Sequence, residues 1–325
     1  MMASEPRLKV AVTRRLFEPN IERLQALYDV LDNQADIDLS RADLAARLAD
    51  VDAAVVTGGH RIDDEILAGA THLKLVATVS VGFNHIDLAA CAKRRIIVTN
   101  TPDVLTETTA DFGFALMMAT ARRIGEAERW LRAGLWQRWT IDQLTGGDVY
   151  GTTLGILGMG RIGQAIARRG RGFSMPVIYH NRRSLDASLE SELNARWCSL
   201  EDLLGRSDHL IVVLPYSPEV HHMISAPQLA LMKPTATLVN IARGGIIDED
   251  ALAAAVQEGR LGGIGLDVYE GEPRINPALL KLERAVLAPH IASASLPTRH
   301  AMANLAIENV IEVLSGRPAK TPVVA

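Results

Sequence analysis

Residues 151–183 read GTTLGILGMGRIGQAIARRGRGFSMPVIYHNRR. The apolar run 153–157 passes directly into Gly158-Met159-Gly160-Arg161-Ile162-Gly163, residues 164–169 continue at helical period, and 177–180 read as the next strand. Gly170 and Gly172 are expected to stop the helix. Strand, glycine turn, helix, strand is the βαβ context in which G-x-G-x-x-G points to dinucleotide binding. Each glycine has a physical task there. Gly158 permits the tight turn, Gly160 lets a pyrophosphate approach the backbone, and Gly163 lets the helix pack close on the strand. The N–H groups and dipole at the helix start, at Arg161 and Ile162, then attract phosphate.

The end of the second strand says which dinucleotide. An NAD site wants an Asp or Glu about 20 residues on, bonded to the ribose 2′-hydroxyl. Here Asn181 lies 181 − 163 = 18 positions past Gly163, followed by Arg182 and Arg183, and the nearest acid, Asp186, falls beyond the strand end. Paired guanidiniums suit a 2′-phosphate through charge-assisted hydrogen bonds, so NADPH (NADP+) is the expected cofactor, with NADH as the alternative if the arginines are only surface charge.

Composition frames the rest. The 325 residues imply about two domains. They are 48% hydrophobic and 22% charged, with formal net charge -4, the balance of an ordinary soluble enzyme. The arginines are dispersed rather than gathered in a basic block, which argues against nucleic acid. With Cys91 and Cys198 the only cysteines, neither a disulfide framework nor a metal-binding cysteine set is expected, and a cytoplasmic home is the simplest. Neither a secretory signal nor an apolar run of membrane-spanning length is read.

Outward from the glycine turn, strands and helices alternate. Towards the N-terminus, strands are expected at 8–12, 53–56, 73–78 and 96–98, with helices at 19–28, 41–48 and 65–70. The loop Val79-Ser80-Val81-Gly82-Phe83-Asn84-His85 follows a strand, on the edge where open α/β sheets bind ligands, and its N–H groups suit a carboxylate as well as they suit a plain turn. Helices are expected at 107–122 and from 123 to about 135, followed by a polar connector that carries Trp136 and Trp139. Two of the four tryptophans in one connector suggest an interface. Beyond the βαβ unit, helices are read at 200–204 and 226–232 and a strand at 209–214. Strands at 237–241, 264–268 and 285–288 run into Ala242-Arg243-Gly244-Gly245, Tyr269-Glu270-Gly271-Glu272 and Pro289-His290. An Arg, a Glu and a His therefore each follow a strand's carboxyl end in one doubly wound sheet. Glu272 competes with Glu270 for the acidic part. The remaining histidines, His60, His72, His85, His180, His209, His221, His222 and His300, read individually as structural or exposed.

Along nearly its whole length, through GILGMGRIG, VNIARGGIIDEDAL, GLDVYEGEP and APHIASAS, the chain resembles the D-2-hydroxyacid dehydrogenases. SVGFNHID and YHNRR look most like the NADPH-preferring glyoxylate/hydroxypyruvate reductases, which overlap with 2-ketogluconate reductases. The resemblance implies an α/β fold of two Rossmann-like or flavodoxin-like domains with doubly wound parallel sheets. In it a cofactor domain, 101–291, is inserted into a discontinuous substrate domain, 1–100 and 292–325, with a C-terminal helix at 298–314. It implies Arg243, Glu272 and His290 as the catalytic three, backbone N–H groups of Val81 and Gly82 on the substrate carboxylate with Ser293 nearby, and Thr106, Leu214, Ile241 and Asp267 lining the cofactor. It further implies a homodimer joined through the cofactor domains, in which a tryptophan-bearing loop reaches the partner's site and assigns Trp139 there. Ala292 stands where the family often has Gly, and Tyr216 where a smaller aliphatic residue is commoner.

Reduction of a 2-oxo acid follows from these groups. As hydride arrives at C2, charge builds on the carbonyl oxygen. His290 would donate the proton, Glu272 would orient its ring, and Arg243 would bind both carboxylate and carbonyl oxygen. Formate dehydrogenases of this scaffold carry Gln where Glu272 stands, which argues against that chemistry. Phosphoglycerate or phosphite dehydrogenation, and a non-catalytic NAD(P)H-sensing binding protein of the same fold, remain open alternatives, since fold alone does not settle substrate.

Overall fold

A computed structural model describes residues 7–323. Its backbone forms two compact units, one from 7–105 together with 295–323, the other Thr106–Ala294. No helix among the described residues is long and apolar enough to cross a membrane.

The first unit holds β1 (Lys9–Val12), β2 (Asp29–Leu31), β3 (Ala53–Val56), β4 (Leu75–Thr78) and β5 (Ile97–Thr99), all parallel, in the order β2-β1-β3-β4-β5. Short apolar runs become parallel strands here because both faces of the sheet are covered. Val10, Val12, Ala53, Val55, Leu75 and Ala77 face one core, which Ala303, Ala306, Ile307 and Val310 of the helix Leu296–Leu314 close. The alternate residues Ala11, Ala54, Val56 and Val76 face the other.

The second unit contains β6 (Leu154–Leu157), β7 (Val177–His180), β8 (Ala195–Trp197), β9 (His209–Val212), β10 (Thr237–Asn240), β11 (Gly263–Leu266) and β12 (Ala285–Leu287). Their order is β12-β11-β10-β9-β6-β7-β8, again entirely parallel. Counted from β6, this is the dinucleotide-binding order 3-2-1-4-5-6 with one further strand, and the chain reverses direction between β6 and β9. The helix Thr106–Ala121 packs its Ala110, Phe114, Leu116 and Met117 against Ile156, Ile211 and Val239 on one face. The other face is sealed by Leu203, Leu204, Leu252 and Val256 against Leu210, Leu238 and Ile264.

Three local expectations change. The glycine-turn helix runs Arg161–Gly172, straight through Gly170, because a Cβ there would lie 2.9 Å from Leu154 Cδ2. Its absence lets the helix lie against β6, and that close packing outweighs the ~1 kcal/mol helix penalty of Gly. Residues 65–70 form no helix but turns closed by Leu67 N–H to Asp63 O and Ala68 N–H to Glu65 O. The 226–232 helix shortens to Ala226–Leu229. Two edge strands, β2 and β8, and the helix Ala187–Leu193 carry no clear apolar period and emerge only with the sheet.

Gly163 tests the packing directly. A Cβ at this position would lie 2.2 Å from Gly158 O, so Gly163→Ala should destabilise the chain by about 1–3 kcal/mol, as overpacking does. Gly147, with nothing within 4 Å, serves as the control and should shift by less than ~0.5 kcal/mol on replacement by Ala. Urea unfolding of the two variants checks this, and equal midpoints would refute the packing argument.

Candidate active site

Parallel register brings three loops to one edge of the seven-stranded sheet. Leaving β10, the chain is stapled by Asn240, which is buried. Its Oδ1 accepts from Ala242 N (3.0 Å) and its Nδ2 donates to Arg243 O (2.9 Å). Gly244 then passes so close to the next loop that a Cβ would fall 1.8 Å from Tyr269 C. Only glycine allows that approach, and it holds the Arg243 turn against the loop carrying Glu272.

That second loop, leaving β11, is pinned at three points. Glu272 Oε1 accepts from Tyr269 N (2.8 Å). Buried Glu249 accepts from Glu270 N (2.7 Å). The Tyr269 hydroxyl lies 3.1 Å from Leu266 O and 3.0 Å from Ala288 O, one O–H shared between two carbonyls, and burial pushes its pKa up to about 12.

Leaving β12, His290 adopts φ 54°, the left-handed region that a non-glycine residue seldom enters. Such backbone costs on the order of 1–3 kcal/mol and persists only where its surroundings over-determine it. Here Asp267 does so. Its carbonyl accepts from His290 N (2.8 Å), while its carboxylate accepts from Ile291 N (2.7 Å) and Ala292 N (2.8 Å). Asp267 has no exposed surface, and burial raises its pKa against the opposing effect of those two N–H bonds.

The turn presents the His290 ring to Glu272, with Nδ1 2.7 Å from Oε2. A carboxylate can only accept, so Nδ1 carries the proton and Nε2 is left as the working nitrogen. Burial works to raise the Glu272 pKa, but the His290 bond and charge, the Tyr269 N–H and Arg243 prevail and hold it below the usual carboxylate value. Burial draws the Arg243 guanidinium below its ordinary pKa, with Glu272 pulling the other way. A desolvated guanidinium beside a carboxylate-oriented imidazole can bind an oxyanion and move a proton to an adjacent oxygen.

In the glycine turn, Gly158 takes φ 107° with its Cα side against Leu214, where a Cβ would come within 2.7 Å of Leu214 N. A Cβ on Gly160 would meet nothing within 4 Å, and Gly160 caps the helix without a side chain. Open space over an uncapped helix start fits a pyrophosphate. Asn181 Oδ1 accepts from Met159 N (2.7 Å) and its backbone carbonyl from Trp197 Nε1 (3.0 Å), so its side-chain oxygen ties the turn to the end of β7. Arg182 and Arg183 are exposed beside it. Thr106 begins the long helix, and Ile241 is buried beneath it against Gly113. Ser293 is half-buried in the turn that Asp267 holds, whereas Trp139 is 72% exposed, away from the three loops in sequence and on no regular element.

Val81 and Gly82 belong to the other unit, after β4. Their carbonyls are occupied, Val81 O by Asn100 Nδ2 (2.8 Å) and Gly82 O by the Ser80 hydroxyl (2.7 Å). Their N–H groups donate to nothing among the described residues.

Asn240, Glu249 and Tyr269 carry no sequence signal beyond proximity to the three loops; only the contacts assign them a positioning part. Fold and site together define a nicotinamide-dinucleotide-binding α/β protein with an Arg, carboxylate and His cluster at the sheet's carboxyl edge. The description "D-isomer specific 2-hydroxyacid dehydrogenase, NAD binding domain" matches residues 114–292. A glyoxylate reductase of Thermococcus kodakarensis is 46% identical over 97% of this chain and 96% of its own length. A glyoxylate/hydroxypyruvate reductase B of Yersinia pestis is 44% identical over 85% of each. The crystal structure of an NADPH-dependent glyoxylate/hydroxypyruvate reductase from Sinorhizobium meliloti, in complex with NADP and malonate, superposes with TM-score 0.88 at 34% identity, covering 98% of this chain and 97% of that one. The chain belongs to the D-isomer-specific 2-hydroxyacid dehydrogenase family.

Removing the Asp267 carboxylate strands the N–H groups of Ile291 and Ala292. Asp267→Ala should cost about 1–3 kcal/mol for each, and Asp267→Asn, which keeps one acceptor, distinctly less. Chemical denaturation of both variants checks the order; equal losses would mean that the carboxylate does not hold the turn.

Proposed function

We propose that this chain is an NADPH-preferring reductase of small 2-oxo acids, glyoxylate and hydroxypyruvate first and 2-ketogluconate as a further substrate. The observation that carries the reading is the His290 Nδ1 to Glu272 Oε2 bond of 2.7 Å at the edge that also bears Arg243. The names of the relatives from Thermococcus, Yersinia and Sinorhizobium support the substrate class.

The unit Thr106–Ala294 is the cofactor domain in this reading and the other unit the substrate domain. The pyrophosphate lies over Gly158, Gly160 and the helix start at Arg161, Ile162 and Gly163. Thr106, Leu214, Ile241 and Asp267 line or support the cofactor side. When bound, the nicotinamide supplies the reducing hydrogen. Arg243 holds the substrate carboxylate and carbonyl oxygen together, which aligns C2 and stabilises charge as it grows on that oxygen. His290 gives its Nε2 proton to the oxygen, and Glu272 keeps Nδ1 protonated and the ring in place throughout. The N–H groups of Val81 and Gly82, and Ser293, are assigned to the substrate carboxylate in this reading.

NADPH preference rests on Asn181, a neutral residue whose Oδ1 accepts from the glycine turn where an NAD site would carry a carboxylate, and on Arg182 and Arg183, which follow it and are exposed. A homodimer through the cofactor domain is supported by the exposed apolar residues Ile124, Leu131, Leu135, Trp136 and Ile141, and Trp139 lies within that stretch.

Initial rates of NADPH and NADH oxidation against glyoxylate, hydroxypyruvate and 2-ketogluconate test the proposal. NADPH should lead, and no turnover with any 2-oxo acid would sink it. His290→Ala should lower kcat by ~10²–10⁴-fold, and Arg243→Ala should raise KM as well. Replacing both Arg182 and Arg183 by Ala should raise the KM for NADPH by about tenfold or more, given ~1.5–3 kcal/mol per charged hydrogen bond. NADH kinetics should stay nearly unchanged; parallel losses for both cofactors would place the arginines outside the 2′-phosphate site.

A further inference from the structure

Beside Arg243, Glu272 and His290, one further cluster carries unused chemistry. His221 and His222 follow β9 by way of a 3-10 turn, Pro218–Val220, and Glu270 follows β11. Their ligating atoms all lie within 4.8 Å of one another. His222 Nε2 is 2.8 Å from Glu270 Oε2, and His221 Nε2 is 3.9 Å from Oε1. The two rings stack with centroids 3.9 Å apart and planes 20° off parallel, so both present the same edge to one carboxylate.

We propose that His221, His222 and Glu270 bind a borderline divalent transition-metal ion, of which zinc is the representative, at a site distinct from the dehydrogenase chemistry. Two imidazole nitrogens and one carboxylate oxygen, without thiolate, form a donor set that suits zinc, nickel or copper(II) and is poor for magnesium or calcium. Zinc bonds of about 2.0–2.2 Å in a tetrahedron place neighbouring ligand atoms roughly 3.3 Å apart. The two His–Glu separations, 2.8 and 3.9 Å, lie on either side of that value, and the side chains are partly exposed, 37–45% accessible, so that small rotations bring the donors together. Water completes the coordination.

The surroundings orient the donors. The Tyr216 hydroxyl lies 3.2 Å from His221 Nδ1, which directs the other nitrogen, Nε2, towards Glu270. Hydrogen bonding at the second ring nitrogen is what fixes a ligating imidazole. Gly245 leaves the room this needs, since a Cβ there would lie 3.2 Å from both His221 Nδ1 and Tyr216 Cε2. His222 N–H donates to Gly245 O (2.9 Å), and Glu270 N–H to Glu249 (2.7 Å), so both ligand backbones are tied down. A surface pocket of about 340 Å³ adjoins the pair, where Asp248, Glu249 and Asp250 outnumber Arg274 and favour a cation. A bound ion would clamp the 221–222 turn to the Glu270 loop.

The test uses the full chain, freed of metal with EDTA, exchanged into chelator-free buffer and kept without cofactor. Titration with zinc by calorimetry should give one tight equivalent per chain, and cobalt(II) should produce a ligand-field absorption of a low-coordinate N/O site. Zinc should also raise the melting temperature, as any native-state ligand does. His222→Ala and Glu270→Gln should each weaken zinc binding by more than about 100-fold, beyond the ~10–100-fold cost of losing an outer-shell partner. Circular dichroism monitors their fold, and the exposed His72→Ala should bind as the parent does. Absence of a stoichiometric site in the parent overturns the proposal. So does unchanged affinity in both ligand variants, which would assign the metal to other histidines. Turnover of 2-oxo acids plays no part in these readouts, so the outcome is independent of the reductase assignment.

Discussion

The candidate site depends on a buried carboxylate. Asp267 gives up water entirely and is compensated chiefly by backbone, through the N–H groups of Ile291 and Ala292, while its own carbonyl takes that of His290. A buried charge without such partners would cost several kcal/mol. Satisfied in this way, it holds three successive residues in one conformation, including a left-handed histidine that would otherwise relax. The position of the His290 ring and its bond to Glu272 both follow from that turn.

Two further constraints bring the partners into register. Parallel pairing of β10 with β11 and of β11 with β12 ends three neighbouring strands at one edge, so three loops distant in sequence emerge side by side. Gly244 then lets the Arg243 turn touch the Tyr269 backbone at a separation no other residue permits. The resulting electrostatics are mutually reinforcing. Glu272 opposes the desolvation of Arg243, Arg243 and His290 keep Glu272 ionised, and the ionised Glu272 keeps the histidine's inner nitrogen protonated. The same edge supports the proposed metal cluster, because β9 and β11 deliver their loops there as well.

Much of this was legible before any coordinates. Runs such as 153–157 and 237–241 are apolar because parallel strands are buried on both faces, and the glycine turn between the first of them and its helix is dictated by close approach. The resemblance to the 2-hydroxyacid dehydrogenases named Arg243, Glu272 and His290, residues that composition would not have separated from neighbours such as Glu270. Less legible were elements whose stability is not local. The edge strands β2 and β8 exist because a neighbouring strand offers hydrogen bonds, and Gly170 sits within a helix because β6 lies beneath it.

The sequence by itself determined the α/β class, the dinucleotide turn and the residue types at the strand ends, since these rest on periodicity and on backbone conformations that only glycine tolerates. Tertiary structure alone decided that Asn181 braces the turn, that Asn240, Glu249, Tyr269 and Asp267 hold the loops, and that His221 and His222 meet Glu270. The reason is physical. Each of these roles is a hydrogen bond or close approach between segments far apart in the chain, and such a pairing has no periodicity or spacing from which to read it.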